Sequence, residues 1–135
     1  EYTYNKPKNR CRILILGDSF VEAEQIPFND TFHEKLEHLL NQVSGPDDPK
    51  VEVIAAGVTG WGTDQQYLYY QHEGYKYQPD LVLLSITDND IINNHFPLEA
   101  RLEQKPDGGL YKPYFTLEQD ELVLHDFPYP QAVHG

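Results

Sequence analysis

The chain has 135 residues, 39% of them apolar and 24% charged, and a formal net charge of −12. That length supports one domain with a real core, and the acidic balance excludes a basic stripe that could meet phosphates, whether of nucleic acid or of an anionic membrane. Cys11 is the single cysteine, which excludes an intrachain disulfide, and no apolar run approaches the ~20 residues of a membrane span. The chain starts at Glu1 and holds no methionine, so it reads as a piece of a longer protein. The compartment stays open, and an exported or envelope location is compatible with the sequence.

Residues 1–11 are polar, contain Pro7 and read as an arm. Residues 12–16 form a short apolar run without alternation, which predicts a strand buried on both faces, as in a parallel sheet. A loop with Pro27 follows. Phe32, Leu36, Leu39, Leu40 and Val43 then recur on one face of a 3.6-residue period and predict a helix. Thr31 and Glu34 have the spacing of a capping box at its start, and Gly45-Pro46 stops it. Residues 51–56 predict the second buried strand, running into Gly57, Gly60 and Gly62. Thr63 and Gln66 offer another capping box, with a helix continuing to about Gly74. Gln78-Pro79-Asp80 turns the chain into a third buried strand, 81–86. The order β-α-β-α-β with unalternated apolar strands predicts a parallel sheet covered by helices on both faces. Residues 88–95 are mostly amides and acids. Further on, 111–117 and 121–125 flank Glu118-Gln119-Asp120 as a β-hairpin, and the tail is proline-rich. One domain results, with an arm at 1–11, a core at 12–95, and a hairpin-containing insertion and tail at 96–135.

Ligands of a parallel α/β sheet bind beyond the carboxyl ends of its strands. The three predicted strands end in Gly17-Asp18-Ser19, in Gly57-Val58-Thr59-Gly60 and in Thr87-Asp88-Asn89-Asp90, so three polar ends share one rim. Ser19 supplies a hydroxyl, Gly60 a backbone N–H and Asn89 a side-chain amide. An attacking hydroxyl beside donors for an oxyanion is the equipment of acyl transfer.

Gly17-Asp18-Ser19-Phe20 resembles the first sequence block of the SGNH hydrolases, the GDSL esterases and lipases. Gly60, in AAGVTGWGT, matches the glycine of the second block, and Asn89-Asp90, in ITDNDI, the asparagine of the third. The resemblance covers roughly residues 11–95. It implies a three-layer α/β/α sandwich of flavodoxin-like type and a serine esterase working through an acyl-enzyme on Ser19. It implies an oxyanion hole of the Ser19 N–H, the Gly60 N–H and the Asn89 side chain, with Gly17, Asp18 and Asp90 holding the loops. No metal and no organic cofactor are implied. The substrate would be a small-molecule ester or an acylated carbohydrate. The tyrosine- and proline-rich hairpin region resembles an insertion of some bacterial members.

Three positions depart from the family pattern. Ala55 stands where the second block has asparagine, and Thr87 where the third block has glycine. The family's D-x-x-H block, which carries the general base and its orienting aspartate, has no match after residue 95. The resemblance therefore implies a fold incomplete at its C-terminus and a base beyond residue 135. Weak activity of this piece follows, as does an uncovered last strand inviting self-association.

Each motif also has a plainer reading. Ser19 can serve as a helix N-cap. Asp30-Thr31-Phe32-His33 matches D-x-x-H as a string but lies at a helix start, where an acid needs no catalysis to explain it. His33 and His38 are five apart, whereas a zincin helix needs four. The loop 57–62 reads G-x-x-G-x-G, which leaves a nucleotide-binding domain as a distant reading. Asp88 and Asp90 suggest Mg²⁺ only thinly. His95, His125 and His134 are expected at the surface, with His125 or His134 as stand-ins for the missing base. Trp61 either lines the pocket or packs on a helix. The main alternative to the esterase is a non-catalytic or degenerate module that binds its ligand without turnover.

Overall fold

The computed structural model describes residues 2–94 and 112–125. At its centre is β1 (Arg10–Gly17), flanked by β2 (Lys50–Gly57) and β3 (Leu81–Leu84), both parallel to it in the order β2-β1-β3. Ile13 pairs with Val53 and Leu81, and Leu16 with Ala56 and Leu84. Side chains alternate across a strand, so one pleat divides the core in two. Ile13 and Ile15 join Val53 under Val21 of α1 (Ser19–Glu22) and under Leu36 and Leu40 of α2 (Phe32–Val43). Leu14, Leu16 and Ile54 meet Tyr69 and Tyr70 of α3 (Thr63–His72), and Tyr77 of the short 3-10 turn Gly74–Tyr77. Each fully buried aliphatic side chain contributes about 1.5–3 kcal/mol, and the run Ile13–Leu16 supplies four in succession. The molecule is thus an α/β fold on a parallel sheet. Among the described residues, no helix is long and apolar enough to cross a membrane.

Several local expectations change. The first strand begins at Arg10, inside the stretch read as an arm, because Lys50 continues the pairing there. On α2, Leu36 and Leu40 pack on the core, while Phe32, Leu39 and Val43 are exposed. The helix is turned so that Glu37 and Asn41 reach the free edge of β2. Neither expected capping box forms. The Thr31 hydroxyl donates to Phe28 O (2.7 Å) instead of capping α2. Gly62 is the N-cap of α3, and its N–H is accepted by Gln65 (3.3 Å), leaving Gln66 for the interior.

The third strand ends at Leu84 and is not buried on both faces: Leu81, Val82, Leu83 and Leu84 are 37–48% exposed. Two helices lie where the sequence pattern showed none, α1 and α4 (Asp88–Asn94). The hairpin forms as β4 (Tyr114–Glu118) and β5 (Glu121–His125), antiparallel, with Gln119 and Asp120 both at positive φ, as a tight type I′ connection requires. It docks on α3 through Lys112 to Asp64 (3.1 Å) and through Phe115 edge-on to Tyr67.

Candidate active site at the carboxyl rim of the sheet

β1 leaves the sheet at Gly17, and α1 begins two residues later. A side chain at Gly17 would come within 2.3 Å of Val21 Cγ2, and one at Gly57 within 2.4 Å of the Glu22 nitrogen and 2.7 Å of Asp18 O. Both strands must end in glycine for α1 to sit directly on their tips. Asp18 is fully buried and caps α1, its Oδ1 accepting from the Phe20 N–H (3.0 Å). The helix-capping role open to Ser19 is therefore filled by Asp18. Ser19 is the first residue of the helix and is half-buried.

The Asp18 carboxylate also ties the third strand end to the first. Its Oδ2 accepts from Asn89 Nδ2 (2.8 Å) and from the Thr87 hydroxyl (2.9 Å). Burial alone pushes this carboxyl up. The Asn89 amide, the Phe20 N–H and the Thr87 hydroxyl outweigh it and hold the group below the ordinary carboxylate range. Asp90 is buried as well. Its Oδ2 accepts from the Thr87 N–H (2.6 Å) and its Oδ1 from Gln66 Nε2 (3.1 Å), which fastens the start of α4 to α3. A threonine at position 87 thus hydrogen-bonds through both its N–H and its hydroxyl. Asp88, by contrast, is exposed.

The second strand end is a turn, Val58–Trp61, closed by the Trp61 N–H to Val58 O (3.0 Å) with Gly60 at φ +82°. That is the third position of a type II turn, which only glycine takes without strain. One Glu22 oxygen accepts from both the Thr59 N–H (2.7 Å) and the Thr59 hydroxyl (2.5 Å). Trp61 packs on Tyr69 of α3, ring centroids 5.5 Å apart. At the start of α3 the Asp64 carboxylate accepts from the Gln65 N–H (2.8 Å), so an acid already occupies the end that a phosphate would need.

Among the described residues, the N–H groups of Ser19 and Gly60 and the second N–H of Asn89 donate to nothing. Ser19 Oγ has no hydrogen-bond partner among them either. Four histidines are described, and none bonds to it. His33 is buried and meets Thr31 Oγ1 through Nε2 (3.0 Å); because the Thr31 proton goes to Phe28 O, this nitrogen carries the hydrogen. Burial pushes His33 down and keeps it neutral. Asp30 does not orient it, pairing instead with Lys35 at 3.3 Å. His125 stacks on Tyr114 in the hairpin. His95 and His134 lie outside the described residues. Glu22 was missed by sequence reasoning, which gave Gln66 only a capping role and Gly57 only a place at a strand end. Gly57 alone left a signal, as the first glycine after a buried strand.

No family model matches the chain, and no curated protein does. Among solved structures, the crystal structure of AlinE4, a SGNH-hydrolase family esterase, is similar with a TM-score of 0.51 and 23% identity. The match covers 73% of this chain and 51% of that one, so the chain spans about half the length of the solved protein it matches. At this identity the likeness shows the fold alone.

Proposed function

We propose that this chain carries the nucleophile and oxyanion-hole half of a serine esterase of SGNH type, built on a flavodoxin-like three-layer α/β/α sandwich. The carrying observation is the Asn89–Asp18 hydrogen bond (2.8 Å), which joins the third strand end to the residue preceding Ser19. Ser19 Oγ attacks an ester carbonyl. The new C–O⁻ is received by the N–H groups of Ser19 and Gly60 and by the Asn89 amide, the donors left open at this rim. Collapse expels the alcohol and leaves an acyl-serine, which water cleaves to the acid. A base must take the Ser19 proton. The substrate is a small-molecule ester or an acylated carbohydrate, and the exposed apolar residues of β3 give the chain a route to self-association. A second reading, a ligand-binding module without turnover, is favoured by one observation: Ser19 Oγ has no histidine partner among the described residues.

The test is hydrolysis of p-nitrophenyl acetate by the chain and by Ser19→Ala. Turnover that vanishes in Ser19→Ala supports the esterase. Ser19-independent turnover overturns it, and no turnover with retained binding of acylated ligands favours the second reading.

A further inference from the structure

We propose that Thr87 is a positioning residue that sets the plane of the Asn89 amide, and with it the direction of the N–H that this amide leaves open; the inference rests on the esterase reading for its consequence, not for its geometry. The χ2 torsion of asparagine is broad, so partners must choose the amide plane. Asn89 is held at both ends. Its Nδ2 donates to Asp18 Oδ2 (2.8 Å), and its Oδ1 lies 2.7 Å from the Thr87 hydroxyl. A carboxylate only accepts, so the end facing Asp18 must be the NH₂ and the end facing Thr87 the oxygen. One hydroxyl carries one proton. Here it is shared between Asn89 Oδ1 at 2.7 Å and Asp18 Oδ2 at 2.9 Å, with Asp90 Oδ2 farther off at 3.2 Å. The Asn89 oxygen is the nearest of the three acceptors, and among the described residues it has no other donor. The hydroxyl is itself fixed. Thr87 donates its N–H to Asp90 Oδ2 (2.6 Å), and the buried Asp90 is held in turn by Gln66 of α3 (3.1 Å). A β-branched side chain has few χ1 choices. One line of contacts therefore runs from α3 through Asp90 and Thr87 to the amide oxygen. Glycine, which the family pattern has at this position, brings no hydroxyl to it.

Without the hydroxyl, Asn89 pivots on its one bond to Asp18, and its open N–H swings with it. Losing an oxyanion donor outright costs about 10²–10³ in rate. A donor that is present but misaimed costs less, about tenfold. Two readouts in the full chain test this. The first is the Asn89 side-chain amide in ¹⁵N NMR. Thr87→Val keeps the shape of the side chain and removes the hydroxyl. It is expected to lower the heteronuclear NOE of the Asn89 side-chain nitrogen and to bring its two proton signals closer together. Thr87→Ser, which keeps the hydroxyl, is expected to hold both as in the wild type. The second readout is the rate at which a fluorophosphonate labels Ser19, expected to fall about tenfold in Thr87→Val and to recover in Thr87→Ser. Thr87→Ala, which also lacks the hydroxyl, keeps the proposal testable if Thr87→Val does not fold. Asn89 signals unchanged in Thr87→Val overturn the positioning, whatever happens to stability. Labelling that stays at the wild-type rate while those signals move overturns its role at Ser19. Absence of labelling in the wild type counts against the esterase reading, while the NMR arm still decides the positioning.

Discussion

At the outer edge of β2, Asn41 of α2 accepts from the Val51 N–H (3.0 Å) and donates to Val51 O (2.9 Å), imitating a neighbouring strand. Two residues along, Glu37 accepts from the Val53 N–H (2.7 Å) and from the Tyr2 hydroxyl (2.6 Å). At the outer edge of β3, four apolar residues stand 37–48% exposed, and among the described residues no side chain bonds to their backbone. Strand edges template the pairing of other strands unless they are covered. One edge is closed by polar groups from its own helix, and the other, among the described residues, presents only apolar side chains. The difference explains why α2 carries Glu37 and Asn41 among its sheet-facing positions: a fully apolar stripe would have left the N–H groups of Val51 and Val53 without acceptors.

The largest expected effect comes from opening the closed edge. Asn41→Ala strips an acceptor and a donor from Val51 at a half-buried position, at a cost of about 1–3 kcal/mol. Urea unfolding should show a lower midpoint at an unchanged slope, because the folded surface is the same. A loss below about 0.5 kcal/mol would mean that water replaces Asn41 without penalty.

Tyr2→Phe gives a smaller effect at the same edge, about 1 kcal/mol at neutral pH for one part-buried hydrogen bond whose acceptor keeps the Val53 N–H. It also has a pH signature. Burial and the hydrogen bond to Glu37 raise the Tyr2 phenol above its ordinary value. Its contribution is therefore fully present below pH ~10, where the unfolded tyrosine titrates, and is lost as pH rises from there towards the folded value. Tyr4 and Tyr69 are raised too, so both proteins lose stability in alkali. The gap between wild type and Tyr2→Phe should narrow above pH ~10. A constant gap from pH 8 to 11 would remove Tyr2 ionisation from the account.

The sequence made the sheet legible because a run such as Ile13–Leu16 without a polar interruption fits a strand covered on both faces. How far a strand is covered by its neighbours leaves no mark in such a run. Leu81–Leu84 reads like Ile13–Leu16 yet is exposed. The short helices were illegible for the opposite reason. Four residues in α1 and seven in α4 are too few for a period, and long-range bonds of buried carboxylates hold them, Asp18 to Asn89 and Asp90 to Gln66. The rim itself was legible in Gly17, Asp18, Gly60, Asn89 and Asp90, because close approach, positive φ and buried carboxylates demand particular residue types. Glu22 and Gln66 were not, since their partners lie 37 and 24 residues away and a long-range hydrogen bond has no periodicity.

The smallest effect on stability, and the sharpest contrast between the edges, belongs to Leu81→Lys. Leu81 pairs with Ile13 at the start of β3, away from the Ser19 rim, and is 47% exposed. A lysine there keeps its aliphatic stem on the sheet and its ammonium in water, so stability should change by less than about 1 kcal/mol. Association should change more. At low salt the net charge of −12 keeps copies of the chain apart. At about 0.5 M salt the screening length falls to a few ångströms, and the exposed apolar residues of β3 are then free to meet a second copy. Sedimentation velocity should show a concentration-dependent increase in mass for the wild type at high salt, and none for Leu81→Lys. Asn41→Ala, which bares the other edge, should add to the wild-type tendency in proportion to the backbone it exposes. Equal association of wild type and Leu81→Lys would show that copies meet elsewhere, and a monomeric wild type at every salt concentration would show that an apolar edge of this length does not suffice.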